Sequence, residues 1–500
     1  MNQNVRPWPA LWALCIGFFM ILVDTTIVAI ANPVILAAFD ADLTTVIWVT
    51  SAYLLAYAVP LLITGRLGDR FGPKRVYLAG LVVFTLASLA CGLADSIGML
   101  IAARAVQGFG AALMTPQTMA IIARIFPPRG RGQAMGAWGA VGGLATLVGP
   151  ILGGVLTDTV GWEWIFFVNV PVGIIAFVVA WRLVPDLAGH PHRFDWIGVL
   201  LSGGGLFLLV FGLQEGEVYD WGVIAGPITV WALIVVGAVL LVLFVVWQRF
   251  NRAEPLMPLS LFRDRNFSVA NATIFLVGVG ITAMPVPLAF YFQVARGLDP
   301  TLAALMLAPM AVVSGVLGPL VGKLSDRIGP RWVTFAAFVI SAVAMAWYAS
   351  TMTLDAPFWL LLFPSALLGV GVSGMFGPLA STATRNLPHT QAGAGSGVYS
   401  TTRQMGSVIG SALLAVLMNL TLAAHITGFA PGAIHPGSDL SAKDGAGLAA
   451  AMSQSLLLSA IAFAVCAVVV VFFEKPRPWG APATQPVPQT AGSVAREGRS

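Results

Sequence analysis

The chain has 500 residues, of which 58% are hydrophobic and only 9% are charged, and its mean hydropathy is +0.88. A soluble domain usually carries about 25% charged residues, so this composition excludes a single core inside a solvated surface. It indicates a polytopic membrane protein. The net charge is +5, and we expect the protein to interact with the lipid bilayer and not with nucleic acid.

The N-terminal segment 1–9 is short and polar and is predicted to be cytoplasmic. The apolar run behind it has no small-residue cleavage site, so we interpret that run as a first membrane span rather than a removed signal peptide.

Fourteen stretches satisfy the requirement of about 20 mostly apolar residues for a helix that crosses the hydrocarbon core. The predicted spans are 10–31, 46–65, 76–94, 98–123, 133–156, 164–183, 196–213, 223–247, 267–292, 302–322, 333–352, 358–383, 396–422 and 449–473. Lys and Arg concentrate in alternate loops, which are the cytoplasmic ones if the N-terminus is inside. We therefore predict a protein of the cell membrane with fourteen transmembrane helices and both termini cytoplasmic.

One charged phrase occurs twice in the chain. The segment 65–74 (Gly-Arg-Leu-Gly-Asp-Arg-Phe-Gly-Pro-Lys) returns as 322–331 (Gly-Lys-Leu-Ser-Asp-Arg-Ile-Gly-Pro-Arg), each time between two apolar stretches. Such a repeat indicates a transporter built from two related halves. Because the copies follow predicted spans two and ten, two extra spans (196–213 and 223–247) must lie between two six-helix halves.

This arrangement divides the chain into five segments, of which the first is the terminus 1–9. The N-terminal six-helix half covers 10–183, the extra helices and a linker cover 184–266, and the C-terminal half covers 267–473. The tail 474–500 is rich in Pro, Ala, Gln and Gly, and we predict that it is disordered and cytoplasmic.

With these motifs in order, the chain resembles the major facilitator superfamily, and within it the fourteen-span drug:proton antiporters of the multidrug efflux type, over residues 10–473. The motifs are the repeated loop, 22–28 with Asn32 and Pro33 in span one, 104–112 in span four, 149–154 in span five, and 162–171. Glu163 departs from the family, which usually has a basic residue there. The resemblance implies an all-α fold of two six-helix halves plus two extra central helices.

The repeated loop is a candidate gate. Gly65 and Gly72 permit a tight turn or a close helix approach, and Asp69 can cap a helix or pair with a nearby cation. The alternative is a turn whose positive charges only set the topology. The candidate gating residues are Gly65, Asp69, Arg70, Gly72, Lys74, Arg75, Asp326 and Arg327.

Asp24 is the only acid inside a predicted span, where a charged side chain costs about 2.5–3.5 kcal/mol on insertion scales. Helical rise places Asp24 and Arg104 at similar depths, about 10 Å and 9 Å from the same surface. The resemblance implies that they face one cavity and couple transport to protons, and the alternative is a permanent structural ion pair. Gln107 lies one turn beyond Arg104 and can share its hydrogen bonds.

Two further groups of residues are candidates for conformational and cavity roles. Gly149, Pro150, Gly153 and Gly154 form a candidate hinge in span five, with ordinary helix packing as the alternative. Gln107 and Arg403 are candidate cavity residues, although Arg403 has the reach to extend toward the interface instead.

We expect no cofactor, metal site or disulfide. Cys15, Cys91 and Cys466 all lie in apolar stretches, and the histidines at 190, 192, 389, 425 and 435 are scattered in or near loops. The absence of a phosphate loop of the form G-x-x-x-x-G-K-[ST] argues against ATP as the driving force. No nucleophile–base pair appears, so we do not expect an enzyme.

The resemblance implies a monomeric, proton-coupled antiporter that exports hydrophobic or cationic drugs and related small molecules by alternating access. Proton and substrate would compete through Asp24. A dedicated exporter of one metabolite or antibiotic is the alternative. A non-transporting sensor is disfavoured because a sensor needs neither Asp24 nor Arg104.

Overall fold

The computed structural model describes residues 6–41, 43–189, 195–216, 219, 221–251, 255–388, 391–426 and 442–474. The chain is helical through almost all of these ranges. The predicted disordered tail lies outside the described residues except for Glu474, and so do the histidines at 190, 192, 389 and 435.

Eight helices form the first part of the chain. They are α1 (Pro7–Phe39), α2 (Leu43–Ala58), α3 (Leu61–Phe71), α4 (Pro73–Gly92), α5 (Ile97–Ile125), α6 (Pro128–Thr159), α7 (Trp164–Phe167) and α8 (Asn169–Leu183). Proline occupies the first turn of α1, α4 and α6, where its missing N–H costs no hydrogen bond. The chain bends by 46° between α2 and α3, next to Pro60.

The two extra helices form a hairpin. Helix α9 (Trp196–Gln214) leads through β1 (Val223–Ala225) and β2 (Ile228–Thr229), which pair antiparallel, into α10 (Val230–Phe250). The side chains of Asp195 and Thr229 accept hydrogen bonds from the first turns of α9 and α10. Much of α10 exposes apolar side chains, as expected for a helix that faces lipid.

The second half repeats the pattern of the first. After a 3-10 helix (Leu259–Arg263) come α11 (Arg265–Thr282), α12 (Pro285–Ala289), a π-helix (Phe290–Ala295), α13 (Pro300–Leu305), α14 (Ala308–Ile328), α15 (Pro330–Thr351), α16 (Phe358–Ser373), α17 (Phe376–Arg385), α18 (Ala392–His425) and α19 (Ala442–Val470). The repeated loops lie at the junctions α3–α4 and α14–α15, and we call the side of the bundle that carries both the motif end.

Twelve stretches of helix in the described chain are long and apolar enough to cross a membrane, and the bent pair α2–α3 makes thirteen. The protein is therefore an integral membrane protein. The remaining predicted span, 133–156, lies in α6, a continuous helix of 32 residues that is not among these thirteen. The count of fourteen thus stays a prediction.

The hairpin of extra helices lies across the junction of the two halves. Val210 of α9 packs in one apolar cluster with Leu55 of α2 and Val408 of α18. The linker that follows α10 is held from two sides, since Asp195 accepts a hydrogen bond from the Leu256 N–H and Arg66 of the repeated loop donates to the Leu256 carbonyl at 3.0 Å.

Helix crossings in this bundle depend on glycine. A Cβ atom added to Gly410 of α18 would lie 2.6 Å from the Cα atom of Val279 in α11. In contrast, a Cβ atom added to Gly315 of α14 would have no neighbour within 4 Å.

We therefore expect Gly410→Ala to lower the thermal unfolding temperature of the purified protein, because overpacking costs about 1–3 kcal/mol. Gly315→Ala is the matched control, and it should leave this temperature unchanged or raise it, since alanine is the better helix former. Equal unfolding temperatures for the two variants would contradict the packing described at Gly410.

Candidate functional site

A buried ion pair joins the first span to the fourth. The Arg104 Nη1 atom lies 2.6 Å from Asp24 Oδ2, and both side chains are fully inaccessible. The pairing predicted from the depths of the two residues is present. Removing both charges from solvent is costly, so each of them requires partners inside the protein.

Two further side chains, those of Gln107 and Asn169, complete the hydrogen bonds of Asp24. Gln107 Nε2 and Asn169 Nδ2 donate to Asp24 Oδ1 at 2.8 Å and 3.0 Å, and Arg104 Nη1 also donates to Gln107 Oε1 at 2.6 Å. Ser88 accepts a second hydrogen bond from Asn169 and donates to the Phe166 carbonyl. The cluster thus ties α1 and α5 to α4 and α8.

Arg104 is also held by groups without charge. Its Nε donates to the Val49 carbonyl at 3.1 Å, and its guanidinium lies 4.1 Å from the centre of the Tyr53 ring. A cation over an aromatic face is attracted by the ring quadrupole. The Nη2 atom nevertheless has no hydrogen-bond acceptor among the described residues. A proton on Asp24 would therefore leave Arg104 with few alternative partners.

Sequence reasoning did not assign roles to Asn169 and Ser88. Asn169 belongs to the motif 162–171, where an amide lies close to aromatic residues. This position could have identified Asn169 as a candidate partner in the site. Ser88 lies in an apolar stretch and has no such signal, because only the packing of α4 against α8 brings it to Asn169.

The carboxylate of Asp69 caps a helix in the opposite half of the protein. Its two oxygens accept hydrogen bonds from the N–H groups of Gly393 and Ala394, at 2.8 Å and 2.7 Å, in the first turn of α18. Arg124 at the end of α5 lies 3.1 Å from Asp69 Oδ1. This cap joins the unsatisfied N–H groups and positive dipole of a helix start to a buried carboxylate.

Asp326 makes the equivalent cap in the other direction. Its two oxygens accept from the N–H groups of Gly132 and Gln133, both at 3.0 Å, near the start of α6, in its second turn. Each copy of the repeated loop therefore holds the start of a helix in the other half. In addition, Arg131 donates to the Ala123 carbonyl in its own half and the Thr384 carbonyl in the other.

The helices meet closely beside both caps. A Cβ atom on Gly65 would lie 2.5 Å from the Gly393 carbonyl oxygen, and one on Gly322 would lie 2.4 Å from that of Gly132. Gly65 therefore lies at a close approach of two helices, which is one of the two roles considered for it. Gly72 has a φ of +91°, a conformation that favours glycine, as predicted.

A second repeat in the sequence marks the capped helix starts, and sequence reasoning missed it. Arg124, Pro127, Gly132 and Gly136 recur with the same spacing at Arg385, Pro388, Gly393 and Gly397. The signal is weak because both copies consist mainly of residues that are common in membrane helices. Only contact with the first repeat shows that the two repeats are complementary.

The neighbouring cations Arg70, Lys74 and Arg75 do not pair with Asp69. The alternative in which Asp69 pairs with a cation of its own loop is therefore not what the structure shows. Lys74 Nζ lies 3.5 Å from Asp186, whereas Arg70, Arg75 and Arg327 have exposed side chains. Asp69 points into the junction between the halves, and its cation comes from Arg124 instead.

The fifth-span glycines divide into two kinds. A Cβ atom on Gly149 would lie 1.8 Å from Thr26 Oγ1 in α1, so Gly149 permits close packing there. A Cβ atom on Gly154 would have no neighbour within 4 Å, which leaves Gly154 without a packing role. Gly153 is buried, and α6 continues through Pro150 as one helix. A hinge at these positions stays a prediction.

Arg403, the second candidate cavity residue with Gln107, lies in the interior part of α18 and is not joined to the Asp24 cluster. It is half-buried and donates no hydrogen bond to a described residue. Gln107 instead belongs to the ion-pair cluster. Within the described ranges, no group of three His, Cys, Asp or Glu side chains is arranged to hold a metal ion.

Comparison with known proteins gives one family. The family model described as Major Facilitator Superfamily matches residues 14–411. An uncharacterized MFS-type transporter of Mycobacterium tuberculosis, Rv1250, is 51% identical over 98% of this chain and 84% of its own length. The tetracenomycin C resistance and export protein of Streptomyces glaucescens is 35% identical over 83% of this chain and 76% of its own.

A solved structure shares the fold. The human organic anion transporter MFSD10 superposes with a TM-score of 0.63 at 13% identity, covering 93% of this chain and all of its own. At that identity, the likeness concerns the fold alone.

The ion pair predicts a double-mutant cycle for stability. Arg104→Gln should destabilise the protein by about 3–5 kcal/mol because it leaves Asp24 buried and unpaired. The double variant Asp24→Asn with Arg104→Gln should lose less than the sum of the single variants. The free energy of unfolding is measured in denaturant for the wild type, the two single variants and the double variant. Strict additivity of the changes would show that the two charges do not interact.

The two caps predict a change in the distance between the halves at the motif end. Phe71 and Ile328 are equivalent, exposed positions in the repeat, and the three native cysteines are buried, so Phe71→Cys with Ile328→Cys permits selective spin labelling. Adding Asp69→Asn with Asp326→Asn should shift the label–label distances toward longer values, because each carboxylate–amide cap contributes about 1.5–3 kcal/mol.

The matched control for this measurement is Asp186→Asn, which removes a highly exposed partner of Lys74 at the same end of the protein. It should leave the distance distribution unchanged, since exposed ion pairs contribute little. Identical distributions in the Asp69/Asp326 variant and the wild type would contradict the conclusion that these caps hold the two halves together at the motif end.

Proposed function

The chain belongs to the major facilitator superfamily, and from that membership we propose that it is a proton-coupled exporter of hydrophobic small molecules, antibiotics among them. The observation that carries the proposal is the Asp24–Arg104 pair, a titratable carboxyl buried between two spans. An intramembrane ionisable residue is a candidate for ion or proton coupling by default. The name of the S. glaucescens relative supports the export direction.

Coupling through Asp24 would be conformational. Both side chains of the pair are inaccessible, so a substrate need not touch Asp24. A proton on Asp24 removes the charge that holds Arg104 and weakens the connection between α1 and α5. The conformation with this pair intact would then become less favourable than the conformation in which the pair is broken. A ligand shifts a conformational equilibrium only if it affects the two conformations differently, and a proton on Asp24 would do so.

The helix caps at the motif end supply the second element. With both caps formed, the two halves are joined at that end, and rocking of the halves must break the contacts of Asp69 with α18 and of Asp326 with α6. Their symmetry means that one movement breaks both. We propose that they latch the transporter closed on this side during each cycle, as alternating access requires.

Topology completes the proposal. We infer that the motif end and both termini are cytoplasmic, since Lys and Arg concentrate in alternate loops on that side. We further infer that α6 is the fourteenth span, because its 32 residues run between α1 and α14 inside the bundle. With this count we propose that the chain is one of the fourteen-span antiporters of the family.

A dedicated exporter is the second candidate. It is supported by the S. glaucescens relative, whose name refers to one antibiotic. It would share the fold, the latch and the proton site, and would differ only in the breadth of compounds that it accepts.

The test is export of a charge-diverse panel of fluorescent probes (rhodamine 123, Nile red and fluorescein) from energised cells that express the protein. We expect export of at least one probe, its collapse on addition of a protonophore, and its loss in Asp24→Asn at equal expression. Asp355→Asn, which changes an exposed acid in the α15–α16 loop, is the matched control and should export normally. Export that persists in Asp24→Asn would refute proton coupling through this residue.

A further inference from the structure

Arg403 lies deep in the membrane. The N–H group of Gly393 on the same helix is capped by Asp69 at the motif end, and Arg403 follows about 15 Å further along α18 at about 1.5 Å per residue. That distance is about half of the hydrocarbon thickness of about 30 Å. From this depth the guanidinium does not reach the membrane interface at the motif end, so the alternative in which Arg403 extends to that interface is disfavoured.

The faces of α18 show that Arg403 points into the bundle. Gly406 and Gly410 pack against the backbone of α11, and Gly393 and Gly397 pack against α3. At helical spacing, Arg403 falls between these two packed strips. The apolar residues that α18 exposes lie beyond the α11 strip, on the side away from Arg403; they are Leu413, Val416 and Leu420.

Arg403 has no counter-ion within the described part of the chain. No carboxylate there lies within 4.0 Å of its guanidinium, and it donates no hydrogen bond to a described residue. Asp24, the acid inside a span, is already paired with Arg104. The pair contributes no net charge, so the interior keeps the positive charge of Arg403.

Two hydroxyl groups on the same face of α18 are also without partners. Ser396, Tyr399 and Arg403 are spaced at i, i+3 and i+7, which places them in one row along the helix. The Oγ atom of Ser396 and the hydroxyl of Tyr399 are buried and have no hydrogen-bond partner among the described residues. Buried polar groups normally find partners, so two such hydroxyls in one row with the uncompensated guanidinium of the half-buried Arg403 indicate a ligand group.

From this row we propose that the transported compound is an anionic amphiphile, such as a carboxylate or an acidic phenol, whose negative group binds Arg403 with Tyr399 and Ser396 as additional donors. The inference rests on the proposed export function and names the substrate class for it. A guanidinium with two hydroxyl donors matches an oxyanion, whereas a cation in the same place would meet uncompensated positive charge. The substrate would therefore differ from the cationic drugs that the family resemblance implies.

The test compares two probes that share a xanthene core and carry opposite charge, fluorescein and rhodamine 123. Binding of each to the purified wild type is measured by fluorescence anisotropy, and transport of each is measured in proteoliposomes. We expect tighter binding and faster transport of fluorescein. Arg403→Gln should weaken fluorescein binding by about tenfold or more, since hydrogen bonds to charged groups are the stronger ones, and Arg403→Lys should retain part of it.

The matched control is Arg249→Gln, which removes an exposed arginine at the end of α10 and should leave both probes unaffected. Rhodamine 123 preferred over fluorescein by the wild type would overturn the anion assignment, and this comparison does not depend on the folding of any variant. An equal loss of both probes in Arg403→Gln would also overturn it, since that pattern belongs to a packing role. Both results leave export itself intact, whereas failure to transport any probe of the panel would count against the proposed function.

Discussion

Lipid leaves every polar group of this chain to find its partner inside the protein. The fully buried Asp24 and Arg104 satisfy this constraint with each other and with the side-chain amides of Gln107 and Asn169. The buried N–H groups near the starts of α6 and α18 satisfy it with carboxylates from the opposite half. Both arrangements concentrate charge at contacts between helices.

The two caps show how a repeat in sequence becomes a symmetric interface. Asp69 and Asp326 each belong to one half and satisfy a helix of the other, so the interface is formed twice by equivalent residues. Glycine at the crossings lets the backbones approach within the distances that these hydrogen bonds need. A larger side chain at Gly65 or Gly322 would separate the helices and lengthen the caps, so the glycines and the aspartates form one structural unit.

The extra helices are connected to this unit. Arg66 belongs to the repeated loop and donates to the linker at Leu256, and the same linker residue donates to Asp195 at the start of α9. Together with the apolar contact of Val210 with both halves, this places α9 against the junction between them. The hairpin is therefore connected to α3 through hydrogen bonds and to the junction through packing.

The sequence by itself determined the membrane class, the two-half organisation, the position of the extra helices and the identity of the charged residues inside the spans, since hydropathy, charge alternation and repetition are local properties of the chain. It also indicated the Asp24–Arg104 pair through equal depth. Only the tertiary structure decided that Asp69 pairs with Arg124 and caps α18, that Asn169 and Ser88 complete the buried cluster, and that Arg403 lacks a partner among the described residues. The physical reason is that depth along a helix follows from residue number, whereas the neighbours of a side chain depend on helix rotation and crossing, which many distant contacts set together.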